Sequence, residues 1–349
     1  MIQSETEATS AFFNIRERDA EKMRKSKFSD NLLWIVFLTI MLVFLVSYVE
    51  YGLYLMIHDL GPDISPAVTF INENYTPFLA DVIVLVIVCL VVKKNRFILR
   101  SFLPKGKAKS HKLLVIEDSY EPSQENTVRN LLIGLLLGFL SNFVCILCAI
   151  LHGDIKLYPD FSIGMIPTML YALLMVFIQS SSEEFLCRGF LYERICIHYP
   201  LWVAVIVNGI FFGLLHLFND GVTVLGIVGI VVCGLSYSLL RWYTGSIWMV
   251  MGIHTMWNFT QNFIFGLPNS GLVSAVSIFH MDAVNGVSNL VYDYGFGVEG
   301  AVPAVVVDSL IGIVCLILAK RTGRLGELRM SYEKKAASAG QEKLSDSSP

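Results

Sequence analysis

Charge is scarce in this chain. Asp, Glu, Lys and Arg together make up 16% of its 349 residues, against about 25% in an ordinary soluble domain. That leaves too little polar material to solvate a soluble protein of this size. Basic residues are scarcer still in particular places. Around residues 57–76, 152–162, 219–221 and 266–300 the only Lys or Arg is Lys156. No cleavable leader is legible, because the first thirty residues are polar and the first apolar run is too long for a signal core. Seven cysteines are present, mostly inside apolar runs. The Cys145/Cys148 spacing lies within such a run and reads as small helix-interface residues rather than a redox or metal pair.

The chain is rich in long apolar blocks. Hydrophobic residues account for 54% of it, and a bilayer span needs about 20 mostly apolar residues. Eight blocks qualify: Leu32–Met56, Pro77–Val92, Leu131–Leu151, Ile163–Phe185, Leu201–Phe218, Val222–Leu240, Ser246–Phe265 and Ala301–Ala319. The second is the shortest. The expectation is an all-α polytopic membrane protein of about eight transmembrane helices. Residues 1–30 form a charged N-terminal segment, 31–320 the transmembrane domain, and 321–349 a tail of disordered composition. Lys and Arg gather in 1–30, in 93–112 and beyond 320. Basic residues stay on the cytoplasmic side during insertion. Both termini are therefore expected in the cytoplasm, with the protein integral to the cell membrane.

The polar residues that stand out fall between 180 and 262. Charges inside a bilayer cost roughly 2.5–3.5 kcal/mol each on insertion scales and mark function or protein interior. Glu183, Glu184 and Arg188 continue an apolar run. Read as one helix, Glu184 and Arg188 are i and i+4 and can pair, while Glu183 is turned away by about 100°. One acid can thus be neutralised while its neighbour stays free to act as a general base. Phe212 and His216 lie on the next helix. Glu183 and His216 are each about sixteen residues from the turn at Tyr199–Pro200, about 24 Å of helix, so an antiparallel hairpin would set them level. His254, Asn258 and Asn262 follow at i, i+4 and i+8, a stripe that must face protein or water. His and Asn suit a developing oxyanion. One tension remains: His216 falls near the outer turn at 219–221, and His254 about ten residues from the inner turn at Gly245. The third helix is not obviously level with the first two.

Other polar residues read as structural. Glu50 suits an interfacial position, and Asn142, Asn208 and Asp308 suit interhelical contacts. Arg241, Trp242 and Tyr243 suit an interface anchor.

The residues EEFLCRG, FGLLH and HTMWN match EExxxR, FxxxH and HxxxN, in this order on successive apolar helices. The ordered set resembles the CPBP family of CAAX prenyl endopeptidases and bacteriocin-processing or self-immunity (Abi) proteins, over about residues 165–265. The resemblance implies an intramembrane endopeptidase with its core on helices 4, 5 and 7. Position by position, it implies that Glu183 activates water with help from His216. His254 and Asn258 would stabilise the oxyanion, with Glu184 and Arg188 in support. The implied partners are the bilayer and a membrane-associated protein or peptide substrate, with or without a lipid group; no nucleic acid is implied.

The sequence has no HExxH, no GxSG and no GxGD, which argues against zincin, rhomboid and presenilin chemistry. The reading here is metal-free; the alternative is zinc held by Glu183, His216 and His254. Two other functions stay open. A non-catalytic immunity or regulatory protein of the same fold would keep its phenotype without Glu183. A proton-coupled transporter would show flux and no cleavage, although the chain lacks the internal repeats common in transporters.

Overall fold

The computed structural model describes residues 31–59, 65–92, 95–105, 125–284 and 286–325. The charged segment 1–30 and the tail beyond 325 lie outside the described residues.

The chain is an all-α polytopic membrane protein with a small two-stranded sheet. Its elements in order are α1 (Leu32–Asp59), α2 (Pro66–Asn74), α3 (Phe78–Val91), the short α4 (Arg96–Arg100), α5 (Val128–His152) and β1 (Ile155–Pro159). Next comes α6 (Ile166–Glu184), which runs through a π segment (Phe185–Leu191) into α7 (Tyr192–His198). Then follow α8 (Leu201–Leu215), α9 (Val224–Thr244), α10 (Ile247–Phe259) with its own π segment (Thr260–Ile264), β2 (Phe279–Ala283) and α11 (Val302–Arg321). Six helical stretches among the described residues are long and apolar enough to cross a membrane. Of the eight apolar blocks, those at Leu201 and Ser246 are the two not among the six; α8 has 15 residues, and α10 has 13 before its π segment. The second block is longer than its sequence suggested, because α2 and α3 together span Pro66–Val91.

Local chemistry sets the ends of these helices. Thr127 caps α5 by accepting from Asn130 N at 3.1 Å, and Thr223 caps α9 by accepting from Gly226 N at 3.1 Å. Such caps satisfy amides that a helix start leaves without partners. Pro200 separates α7 from α8. Gly245 ends α9 at φ 66°, a conformation that costs glycine little. Asn126 fastens the basic side: it accepts from the backbone amides of Ile247 and Trp248 at 3.0 and 3.3 Å, and donates to the carbonyls of Ser101 and Leu103.

Without a hydrophobic drive between spans, helices in lipid associate through close packing of small residues. Gly134 and Gly138 on α5 sit one turn apart against α10. A Cβ at Gly138 would land on the Ile253 carbonyl, 2.9 Å from its carbon. Gly252 of α10 answers from the other side, where a Cβ would meet Leu135 N at 2.9 Å. Gly138→Ala is therefore expected to cost about 1–3 kcal/mol, as overpacking does. Because His254 follows Ile253, it should also lower activity. A lowered Tm in detergent together with a lowered cleavage rate checks this; wild-type values of both would show that the contact gives way.

On the side opposite the basic ends, β1 and β2 pair antiparallel, from Ile155 opposite Ala283 to Pro159 opposite Phe279. The segment between α10 and α11 folds over the 219–221 turn. Asn219 donates to the Ser270 carbonyl at 3.2 Å, and Gly221 lies against Gly295. The turn itself stays exposed at Asp220 and Gly221. The helical stretch Ile163–His198 is 36 residues long, more than the roughly 20 that a bilayer core needs. Its far end therefore runs past the core, and His216 can lie near a chain reversal level with Glu183.

Arg241 corrects one expectation. It is buried, and its guanidinium meets the Glu193 carboxylate at 2.7 Å. It ties α9 to α7 and is no interface anchor. Asn142 and Asn208 are interhelical contacts: Asn142 donates to Gln261 at 2.7 Å, and Asn208 donates to the Cys187 carbonyl.

Candidate active site

The site is assembled at the end of α6. Glu184 and Arg188 pair at 2.9 Å, both side chains fully buried. Arg188 also donates to the Gly234 carbonyl at 3.3 Å and lies over the rings of Phe212 (4.3 Å) and Tyr237 (5.6 Å). The same Glu184 oxygen lies 2.9 Å from His254 Nδ1. Glu184 therefore carries more than the Arg188 pairing read from the sequence: it also fixes the imidazole. With Nδ1–H aimed at Glu184, His254 Nε2 points the other way, 3.8 Å from Glu183 Oε2. That contact also settles the depth question, because it sets α10 level with the end of α6.

Glu183 occupies the opposite condition to its neighbour. Its Oε1 accepts from the Gln179 amide, and its Oε2 has no hydrogen-bond partner. Gln179 accepts in turn from Asn258 Nδ2 at 3.1 Å, and Asn258 Oδ1 accepts from Asn269 at 3.4 Å. His216 Nδ1 donates to the Phe212 carbonyl at 2.9 Å, which leaves Nε2 as an acceptor. The ring packs edge-on against Phe212, centroids 4.9 Å apart, and Phe212 makes a similar contact with His254 at 5.9 Å. His254, not His216, is the imidazole within 4 Å of the Glu183 carboxylate.

Glu183, His216, His254 and Asn258 all line one cavity of about 540 Å³. Asn262 does not join them. It donates to the Leu267 and Leu272 carbonyls at 3.1 and 2.9 Å and accepts from the Tyr75 hydroxyl, so it holds the loop after α10. The π segment at Thr260 breaks the α-helical i, i+8 register that put Asn262 on the stripe. Among the described residues, no group of three or more His, Cys, Asp or Glu is arranged to hold a metal ion.

The cavity wall also holds residues that the sequence reading placed elsewhere or passed over. Glu50 lines it, and Asp308 lines it rather than serving only as a contact between helices. Gln179, Asp81 and Asn269 went unnoticed. The available signal was a polar side chain on an apolar helix, four residues before Glu183 in the case of Gln179. Outside the spans, burial raises the Glu299 carboxyl to about 7, against the lowering effect of its hydrogen bonds with Ser270.

Gln179→Ala should remove both the Glu183 contact and the Asn258 contact at once. The expected result is a loss of about tenfold in kcat, with little change in folded yield because the site is partly open. An unchanged kcat would mean that the carboxylate needs no such support.

No curated protein and no solved structure matches the chain. A family model described as "Type II CAAX prenyl endopeptidase Rce1-like" matches residues 165–260. That stretch contains Glu183, Glu184 and Arg188, then Phe212 and His216, then His254 and Asn258. Over residues 165–260 the chain carries a CPBP/CAAX protease domain, that of a CAAX prenyl endopeptidase-like membrane peptidase.

Proposed function

We propose that the protein is a glutamate-dependent intramembrane endopeptidase that hydrolyses a peptide bond of a membrane-associated or lipidated protein or peptide. The observation that carries this is the difference between two adjacent acids. Glu184 is held by Arg188 and His254, while Glu183, which lines the cavity, keeps one carboxylate oxygen without a hydrogen-bond partner.

In this reading Glu183 takes a proton from water, and the hydroxide formed attacks the substrate carbonyl. His216, with Nε2 unoccupied by its own backbone contact, helps to orient that water. The oxyanion is stabilised by His254 and by the free amide hydrogen of Asn258. To donate from Nε2 while Nδ1–H faces Glu184, His254 must be the imidazolium, and the carboxylate behind it balances that charge. Glu183 then returns its proton to the leaving amine. Arg188 and the rings of Phe212 and Tyr237 close the site from behind. The chemistry proposed is metal-free.

Three features support the reading: the motifs within the matched stretch, the shared cavity, and the fixed imidazole. The test compares membrane peptide fragments from cells carrying the active protein and cells carrying Glu183→Ala. Fragments that vanish with Glu183→Ala are expected. An identical fragment set, with both proteins present in equal amount, would leave the catalytic role without support.

A further inference from the structure

The cavity carries a feature that hydrolysis does not use. Its wall includes Glu50 of α1, Asp81 of α3 and Asp308 of α11, with Glu73 and Asp220 also lining it, and among the described residues no Lys or Arg. Arg188, behind the wall, is engaged by Glu184 and Gly234. Two of these acids are deeply set: Asp81 is 8% exposed and Asp308 3%. In each, Oδ1 is buried without a hydrogen-bond partner. Asp81 sits beside Ser182, the residue preceding Glu183. It lies within electrostatic range of both Glu50 and Glu183.

A buried carboxylate oxygen without a partner is costly. Membrane acids are normally paired with another group. Among the described residues no counter-group meets these oxygens, and the acids line the cavity wall, so the charge complement belongs to what enters. A metal ion is a poor candidate, because no three ligating side chains are gathered among the described residues. A single positive side chain reaching along the wall meets the geometry, and the acids lining the cavity would draw it in.

We propose that Asp81 and Glu50 form a subsite for a cationic side chain, Lys or Arg, of a peptide whose scissile bond lies at Glu183. The subsite selects basic residues near the cleavage point. This rests on the hydrolytic reading of Glu183, and the test separates the two.

Purified full-length protein in nanodiscs is offered internally quenched peptides in which one position at a time is Lys, Arg, norleucine or Gln. At one position the basic peptides should show kcat/KM about tenfold above norleucine. That ratio should fall to about one in Asp81→Asn and in Glu50→Gln. If one variant does not fold, the other carries the comparison, and the wild-type ratio needs neither. A wild-type ratio of one at every position, or a ratio that both substitutions leave unchanged, overturns the subsite. The Lys and norleucine peptides are also titrated against Glu183→Gln protein by fluorescence anisotropy, which needs no turnover. If wild-type protein cleaves nothing, the hydrolytic reading fails and binding decides the subsite. Tighter binding of the Lys peptide then upholds it, and equal binding overturns it.

Discussion

Purified Glu183→Gln protein is expected to insert, fold and elute as wild type does, and to cleave at a rate lower by about 10²–10⁴, the usual contribution of a positioned general base. The two halves of that expectation come from the same observation. Glu183 Oε2 has no hydrogen bond to lose, and the Gln179 contact to Oε1 can be kept by an amide oxygen. The substitution therefore removes basicity and almost nothing else. Glu184 and His254 stay in place, since their 2.9 Å contact does not involve Glu183. The measurement is single-turnover cleavage alongside a thermal melt. A wild-type rate in well-folded Glu183→Gln protein would remove Glu183 from the chemistry and turn attention to the histidines.

The adjacent acid should behave in the opposite way. Removing one member of a buried ion pair costs about 3–5 kcal/mol, because it strands the other charge. Whole domains are stable by only about 5–15 kcal/mol. Glu184→Gln leaves Arg188 fully buried with the Gly234 carbonyl and two aromatic faces as its remaining company. Arg188→Met leaves Glu184 with the His254 contact alone. Both variants are expected to lower folded yield sharply, and the folded remainder should be impaired because His254 loses its bearing. The double variant should cost less than the sum of the two, since neither charge is then left alone. Comparable yields and midpoints for wild type and both single variants would mean that the pair is dispensable.

Much of this arrangement was legible in the sequence. The apolar runs are long enough to dictate membrane helices whatever their neighbours do. The spacing of Glu184 and Arg188 fixes a shared face, and the pair forms. Equal legs on either side of Tyr199–Pro200 placed Glu183 and His216 on one cavity. The failures have physical causes. Asn262 left its stripe because helical arithmetic assumes α geometry, and a π segment intervenes. The depth conflict for His254 arose from counting residues outward from the turns, whereas the helical stretch Ile163–His198 runs for 36 residues, longer than a bilayer core requires. Glu50, Asp81 and Asp308 could not be assigned from the chain, since a lone acid on an apolar helix looks the same facing lipid headgroups or a cavity. Only the packing of α1, α3 and α11 around the site decides it. The Gly134/Gly138 spacing is plain in the sequence, but the partner it receives, α10, is a tertiary fact.

The π segment at Phe185–Leu191 has a consequence for how this chain tolerates changes in length. Deleting one residue from an α-helix turns everything beyond it by about 100°. Within α6 that would swing Glu184 and Arg188 off their shared setting. A π segment already holds a surplus residue in a widened coil. Losing one residue between Gly189 and Leu191 would relax that stretch toward ordinary α-helix, and both flanks would keep their facing. Glu183 would still look into the cavity, and Glu193 would still look toward Arg241. Single-residue deletion scanning along 176–198 should therefore find one short permissive window just after Arg188, in a helix that is otherwise intolerant.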